Sequence, residues 1–458
     1  MHNLYQMQEE ARSSMSSTAA TGTPETTAER DARAIHKDGS HDVSPNEIAI
    51  GVIIGRMSEF FDFFVYSIAS VLVFPAVFFS FADPLTGTLL SFAVFALAFV
   101  ARPIGTILFI QIDRAWGRGA KLTLALFLLG TATVCIPLIP GFATIGYWSI
   151  LFLAAFRFLQ GIALGGAWDG LSSLLAMNAP PGKRGWYAML PQLGAPLGLI
   201  VASALFAYLV LSLSTEDFLS WGWRYPFFVA FAINVVALFA RLRIVVTPEY
   251  ERLFESRDLQ PAPVGNTLSA EGPRIVLGIF TPLASFALFH MMTVFPLSYV
   301  FLYTEEPPAD FLIIQVIAAV VGVGAVLLSG MLSDRIGRGN LLALAAIGIA
   351  VFSILAPAFL GGAETGELIY MIVGFALLGL SFGQSSGATA ARFDPTYRYT
   401  ASALTSDLAW LFGAGFAPLV ALALVHWFGL WSAGAYLLSG AICTLVALRA
   451  NRQLEFKN

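Results

Sequence analysis

The chain has 458 residues, of which 57% are hydrophobic and only 12% charged, and 39 of them are Phe. A charged fraction about half that of an ordinary soluble protein cannot cover a compact domain with polar surface, which argues against a water-soluble enzyme. The net charge of −4 says little about partners, because in such a chain the placement of charges matters more than their sum.

Residues 1–46 are rich in Ser, Thr, Ala and Glu without apolar periodicity and read as a disordered cytoplasmic tail. They lack a basic segment followed by a short apolar stretch and a small-residue site, so no cleaved signal peptide is expected. Six apolar stretches follow, over Ile48–Phe81, Thr86–Ile112, Lys121–Ile139, Tyr147–Met177, Gly185–Leu213 and Arg224–Val246. Residues 247–273 then break the pattern with PEYERLFESRDLQPAPVGN, a short charged helix and a Pro/Gly-rich linker. Six more stretches run over Arg274–Thr304, Pro308–Ser333, Leu341–Leu360, Leu368–Ala391, Tyr399–Val425 and Phe428–Leu448, and a short tail covers 450–458. About 20 apolar residues suffice to cross a hydrocarbon core of roughly 30 Å as a helix. The expected fold is therefore an all-α membrane protein with a bundle of six spans over 47–246 and another over 274–449.

The loops after spans two, four, six, eight and ten and the C-terminal tail hold nearly all the Lys and Arg, among them Arg114, Arg118, Lys183, Arg241, Arg335 and Arg398. The opposite loops carry Asp83, Glu216, Asp217, Glu305, Glu306 and Asp310 with Arg224 as their main cation. By the positive-inside rule both termini are expected in the cytoplasm.

One polar phrase recurs. DRAWGR over Asp113–Arg118 and DRIGR over Asp334–Arg338 each stand between two apolar runs at corresponding places in the halves, the mark of an internally duplicated transporter. In each, the Asp (Asp113, Asp334) can dock on a helix N-terminus. The Gly (Gly117, Gly337) permits a tight turn, and the Arg residues (Arg114, Arg118, Arg335, Arg338) hold acidic groups or headgroups. This is a gating latch, or, more plainly, a solvated loop.

Arg56, Glu59 and Asp62 stand three residues apart in the first span. Facing lipid, central ones would cost about 2.5–3.5 kcal/mol each, so they face protein or a wet cavity. Counted from Ile48, Glu59 lies about 16 Å and Asp62 about 21 Å deep. A carboxyl there, balanced between desolvation and a neighbouring cation, suits a reversible proton carrier. The plainer alternative is an Arg56–Glu59 ion pair with Asp62 hydrogen-bonded to a neighbour, and the two carboxylates are not separable by sequence.

Arg157, about 15 Å into the fourth span from the other face, matches the depth of Glu59 and is the expected partner of that carboxylate or of a substrate's. Gln160 follows on its face, and Gly161, Gly165 and Gly166 allow close helix approach. Arg102 either contacts substrate or snorkels to the interface. Tyr66 and the Phe residues around Asp62 offer rings for a quaternary ammonium or pack as core, and His290 and Gln384 are candidate cavity residues. Cys135 and Cys443 lie inside apolar runs and read as packing residues. No metal-ligand spacing and no nucleophile with a base beside it occurs, so no cofactor, metal or enzymatic activity is expected.

EFFDFFVY over Glu59–Tyr66, ARPIGTILF over Ala101–Phe109, the turn at Asp113–Arg118, RFLQG over Arg157–Gly161, GKRGWYAMLPQLGAPLG over Gly182–Gly198, WGWRYPFF over Trp221–Phe228 and RYT over Arg398–Thr400 resemble the major facilitator superfamily, and within it the metabolite:proton symporters. The resemblance implies two pseudosymmetric six-helix bundles, a central site, alternating access and proton-coupled uptake of a small organic acid or a betaine-like compound. The chain departs from the pattern with Ala167 after Gly166 and the acid displaced to Asp169, with Ala391 before RFDP, with Arg56, and with Asp407 about 12 Å into span eleven, a third candidate proton carrier. The expected partners are a small-molecule substrate, protons and the bilayer of a bacterial inner membrane, with no nucleic acid and a monomeric state. A proton symporter for a small carboxylate is the leading expectation, a betaine or proline transporter the second, and a transporter-like sensor without flux the third.

Overall fold

The computed structural model describes residues 45–167, 175, 179–180, 182–245, 260–361, 364–385 and 393–455. Most of the N-terminal tail, Asp169, Ala391 and the charged part of the linker up to residue 259 lie outside the described residues. Every regular element among the described residues is a helix. Among these residues, ten stretches are long and apolar enough to cross a membrane. One of these, Pro84–Leu138, bends at Gly117 and holds the second and third spans. Pro45–Leu72, interrupted by Arg56, Glu59 and Asp62, supplies the first, which gives twelve.

The helix boundaries follow local chemistry. The first span stops at Leu72 and resumes as the single turn Phe74–Val77, since Pro75 has no N–H with which to continue the ladder. Gly117 (φ 85°) reverses the chain between spans two and three. Gly337 (φ 85°) does the same between span eight (Pro308–Ile336) and span nine (Arg338–Leu360). A positive φ is nearly free only for Gly, so the repeated turn repeats in backbone as well as in sequence.

Residues 264–273, expected as linker, are instead helical: Val264–Phe280 runs through Pro273 into span seven, which continues as Leu283–Thr293 and Phe295–Tyr303. Tertiary bonds override the breaker composition. Thr400 takes a hydrogen bond from Ala262 N (2.9 Å) and returns one to its carbonyl (3.0 Å). Buried Glu271 accepts from Arg274 (3.1 Å) and from Asp394 N (3.2 Å).

Span four (Tyr147–Gly166) closes on span two because a side-chain carbon on Gly161 would strike the Ala98 backbone and one on Gly165 the backbone of Arg102 and Thr106. Gly379 and Gly383 bring span ten onto Gly322, Ala325 and Ser329 of span eight by the same device. The two bundles meet along two seams, span five (Arg184–Ser212) against span eight and span two against span eleven. Span eleven is broken into Arg398–Trp410, a π-turn over Leu411–Gly415, and Ala417–Phe428.

Candidate functional site

Where the second seam meets the first span, the bundles line an open cavity of about 460 Å³, counted with the solvent space at its mouth. Four rings wall it, Phe60, Phe63, Phe99 and Trp410, with Arg56, Glu59 and Arg102 at its polar side. The first span presents Arg56, Glu59 and Phe63 together because positions three and four apart share a helix face. The π-turn begins one residue after Trp410, and such bulges recur at functional sites.

Glu59 does not meet Arg157. One of its oxygens accepts from Arg56 Nη1 at 2.5 Å and the other is ion-paired with Arg241 Nη1 at 2.6 Å. Arg241 had counted only as a loop charge, yet it is 3% exposed and folded inward. The missed signal was Asn234, two helical turns earlier on the same face, which accepts from Ser58 Oγ at 2.8 Å and turns that face toward the first span. Gly55 leaves the room: a side-chain carbon there would collide with the Arg241 guanidinium.

Asp62 stands in a different network. Arg157 Nη1 donates to Gln160 Oε1 (3.1 Å), Gln160 Nε2 donates to Thr133 Oγ1 (2.9 Å), and the Thr133 hydroxyl donates to Asp62 Oδ1 (2.8 Å). Among the described residues no cation lies within ion-pairing distance of Asp62. The match of Arg157 to Glu59 in depth does not fix its facing, and the rotation of span four turns Arg157 toward Phe95 and Tyr66 instead. Its Nε donates to Phe95 O at 3.3 Å, and its guanidinium lies 3.8 Å from the centre of the Tyr66 ring and 4.8 Å from that of Phe95. Arg157 Nη2, the Tyr66 hydroxyl and His290 Nε2 are buried without a hydrogen-bond partner. His290 belongs to the other bundle; its Nδ1 lies 3.4 Å from Thr293 Oγ1 and its ring 5.3 Å from that of Phe63. The three groups lie on both sides of the bundle boundary, around the rings of Phe63 and Phe95.

Arg102 does not snorkel. It crosses the second seam, its Nε donating to Asp407 Oδ1 at 2.6 Å, while the Thr106 hydroxyl donates to the other oxygen. Asp407 is thus already held by the opposite bundle, and Arg102 also lies 5.9 Å from the Trp410 ring centre.

The duplicated turns close the two seams differently. Asp334 accepts from Gly185 N (2.6 Å) and Trp186 N (3.1 Å) at the start of span five. Asp113 meets no helix N-terminus. It accepts from the Tyr399 hydroxyl at 2.9 Å with Lys121 Nζ at 3.5 Å, and Arg118 lies over the Tyr399 ring. Gln384 is not a cavity residue: it follows the end of span ten and joins the first latch, accepting from Arg338 (3.3 Å) and donating to Gly185 O (3.0 Å). Arg114 and Arg335 are exposed.

The family described as Major Facilitator Superfamily matches residues 52–410. An inner membrane metabolite transport protein of Escherichia coli strain K12 is 37% identical over 413 residues, covering 88% of this chain and 93% of that one. The shikimate transporter of the same organism is 29% identical over 412 residues, with the same two coverages. A crystal structure of a D-xylose–proton symporter superposes with a TM-score of 0.66 at 19% identity, over 88% of this chain and 96% of that one.

Proposed function

Because this chain belongs to the Major Facilitator Superfamily, we propose that it is a secondary transporter that carries a small carboxylate together with a proton across a bacterial inner membrane, both termini facing the cytoplasm. The observation that carries the reading is the Arg157–Gln160–Thr133–Asp62 chain with one guanidinium nitrogen left unpaired. Glu59 is neutralised by two guanidiniums, whereas Asp62 has one hydroxyl donor, so Asp62 is the carboxylate free to take up a proton. Protonating it leaves the Arg157 charge without its nearest counter-charge and raises the affinity for an anion in the cavity that Phe63 lines, the Arg157 guanidinium lying 5.7 Å from the centre of that ring. Releasing the anion lets the proton leave. Moving the pair together also spares the work of moving an anion alone against an inside-negative potential, about 2.3 kcal/mol per charge at 100 mV.

A betaine fits less well. Its ammonium would seek ring faces, but Arg157 occupies those of Tyr66 and Phe95, and the faces lining the cavity lie beside Arg56 and Arg102, which repel a second cation.

The test is uptake into proteoliposomes under an inward proton gradient from a panel of labelled carboxylates and betaines, with protein-free vesicles correcting for passive entry of neutral acids. Protein-dependent carboxylate accumulation abolished by a protonophore supports the reading. Undiminished transport and affinity in Arg157→Ala overturns it.

A further inference from the structure

We propose that the cavity selects a monocarboxylate with an apolar ring as its body, aromatic or alicyclic, over polyhydroxylated and multiply charged carboxylates. The inference rests on the carboxylate reading above and adds the shape and charge of the substrate.

Two observations carry it. The first is the wall. Apart from Arg56, Glu59 and Arg102, the described lining consists of the rings of Phe60, Phe63, Phe99 and Trp410 with Ala98 and Leu164. It offers no hydroxyl, amide or imidazole; apart from the charged groups, its one polar side-chain group is the Trp410 indole N–H, a donor only. The Thr106 hydroxyl, one turn from Arg102, is committed to Gly165 O and Asp407. A ligand with several hydroxyls gives up water for most of them without a replacement partner, a loss of about tenfold in affinity for each one left unpaired. Phe60 and Phe63 come from one helix face, and Phe99 and Trp410 stack across the seam with centroids 6.3 Å apart at 27°. Together they form walls against which a flat or chair-shaped ring packs over its whole surface.

The second is the charge. In the described lining Arg56 and Arg102 outnumber Glu59 by one, and behind it the charges of Arg241, paired with Glu59, and Asp407, paired with Arg102, cancel, so the polar side carries one positive charge in excess. One carboxylate balances it. A second carboxylate on the same ligand would be buried without a counter-charge, and the ammonium of a zwitterion would add to the excess. Because Arg56 lies beside Phe60 and Arg102 beside Trp410, a ligand can place its carboxylate at a guanidinium and its ring on the neighbouring aromatic face at the same time.

The measurement is equilibrium binding to the purified full-length chain in detergent by isothermal titration calorimetry, with benzoate, cyclohexanecarboxylate, shikimate, phthalate and 2-oxoglutarate as probes. Benzoate and cyclohexanecarboxylate are expected to bind at least about tenfold more tightly than the other three. Shikimate, phthalate or 2-oxoglutarate binding as tightly as benzoate overturns the inference and leaves the carboxylate reading standing. If no carboxylate binds and a betaine does, both fall. Trp410→Ala is expected to reduce the ring preference by several-fold, and Trp410→Phe to restore most of it. A preference unchanged in a folded Trp410→Ala counts against the wall, and should that variant not fold, the panel on the native chain decides alone.

Discussion

Glu59 and Asp62 are one turn apart on one helix, and replacing each by its amide separates structure from coupling. In Glu59→Gln the Arg241 side chain, 4% exposed, keeps its charge and loses its carboxylate. Breaking a buried pair by removing one partner costs about 3–5 kcal/mol. Arg56, the other partner, is 21% exposed and recovers part of its loss from water, which places the expected cost at the low end, about 3 kcal/mol. In Asp62→Asn the amide oxygen still accepts from Thr133, and no ion-paired cation is orphaned. What changes is one buried amide N–H pair, a cost of about 1 kcal/mol. Thermal unfolding of the purified variants in detergent should therefore show a large drop for Glu59→Gln and a small one for Asp62→Asn. Proteoliposomes should show the reverse in function: Asp62→Asn binds substrate and exchanges it across the membrane but no longer accumulates it under a proton gradient. Gradient-driven accumulation by Asp62→Asn, or a Glu59→Gln as stable as the parent, would refute the division of roles.

Arg157→Lys keeps the charge but loses the planar stack on Tyr66 and the fork that reaches Gln160 and Phe95 O, so substrate affinity should fall by about tenfold or more while the protein still folds; competition binding checks both. Asp334→Asn removes the charge facing two helix N–H groups, worth about 0.3–2 kcal/mol. It should therefore increase labelling, by a membrane-impermeant reagent, of a cysteine placed at Ser329 beneath the latch. Gly165→Val puts a side chain into the backbone of Arg102 and Thr106. It should lower thermal stability and, by displacing Arg102 from Asp407, transport as well, whereas Gly339→Ala, with open space around it, should do neither.

The spans, the duplication and the polar face of the first helix were legible in the sequence because each is a property of one segment: length, recurrence, spacing. The partners were not, because they depend on how helices rotate about their axes. Arg157 and Glu59 match in depth, yet the rotation of span four turns Arg157 to Phe95 and Tyr66, and that of span six brings Arg241 inward to Glu59. Depth can be counted from a sequence; facing requires a second constraint, and the pair Asn234 and Arg241 was such a constraint on span six. The linker failed for a related reason. Pro263 and Pro273 read locally as breakers, but Thr400 and Asp394, more than a hundred residues away, bond Ala262 just before the helix and Glu271 within it and so dock residues 264–273.

The two copies of the charged turn kept their backbone and changed their chemistry, and the change falls on the side of the cavity. At the seam of spans five and eight, Asp334 holds main-chain N–H groups, and no ligand in the cavity touches that contact. Among the described residues, the polar contacts that close the seam of spans two and eleven are between side chains, Asp113 with Tyr399 and Lys121, and Arg102 and Thr106 with Asp407. Arg102 and Trp410 of that seam also line the cavity. A ligand carboxylate that draws Arg102 toward itself must weaken its hold on Asp407, whereas it leaves Asp334 unaffected. On the transport reading the bundles then part first along spans two and eleven and turn about spans five and eight, because a ligand can shift an equilibrium only through contacts it makes differently in the two states.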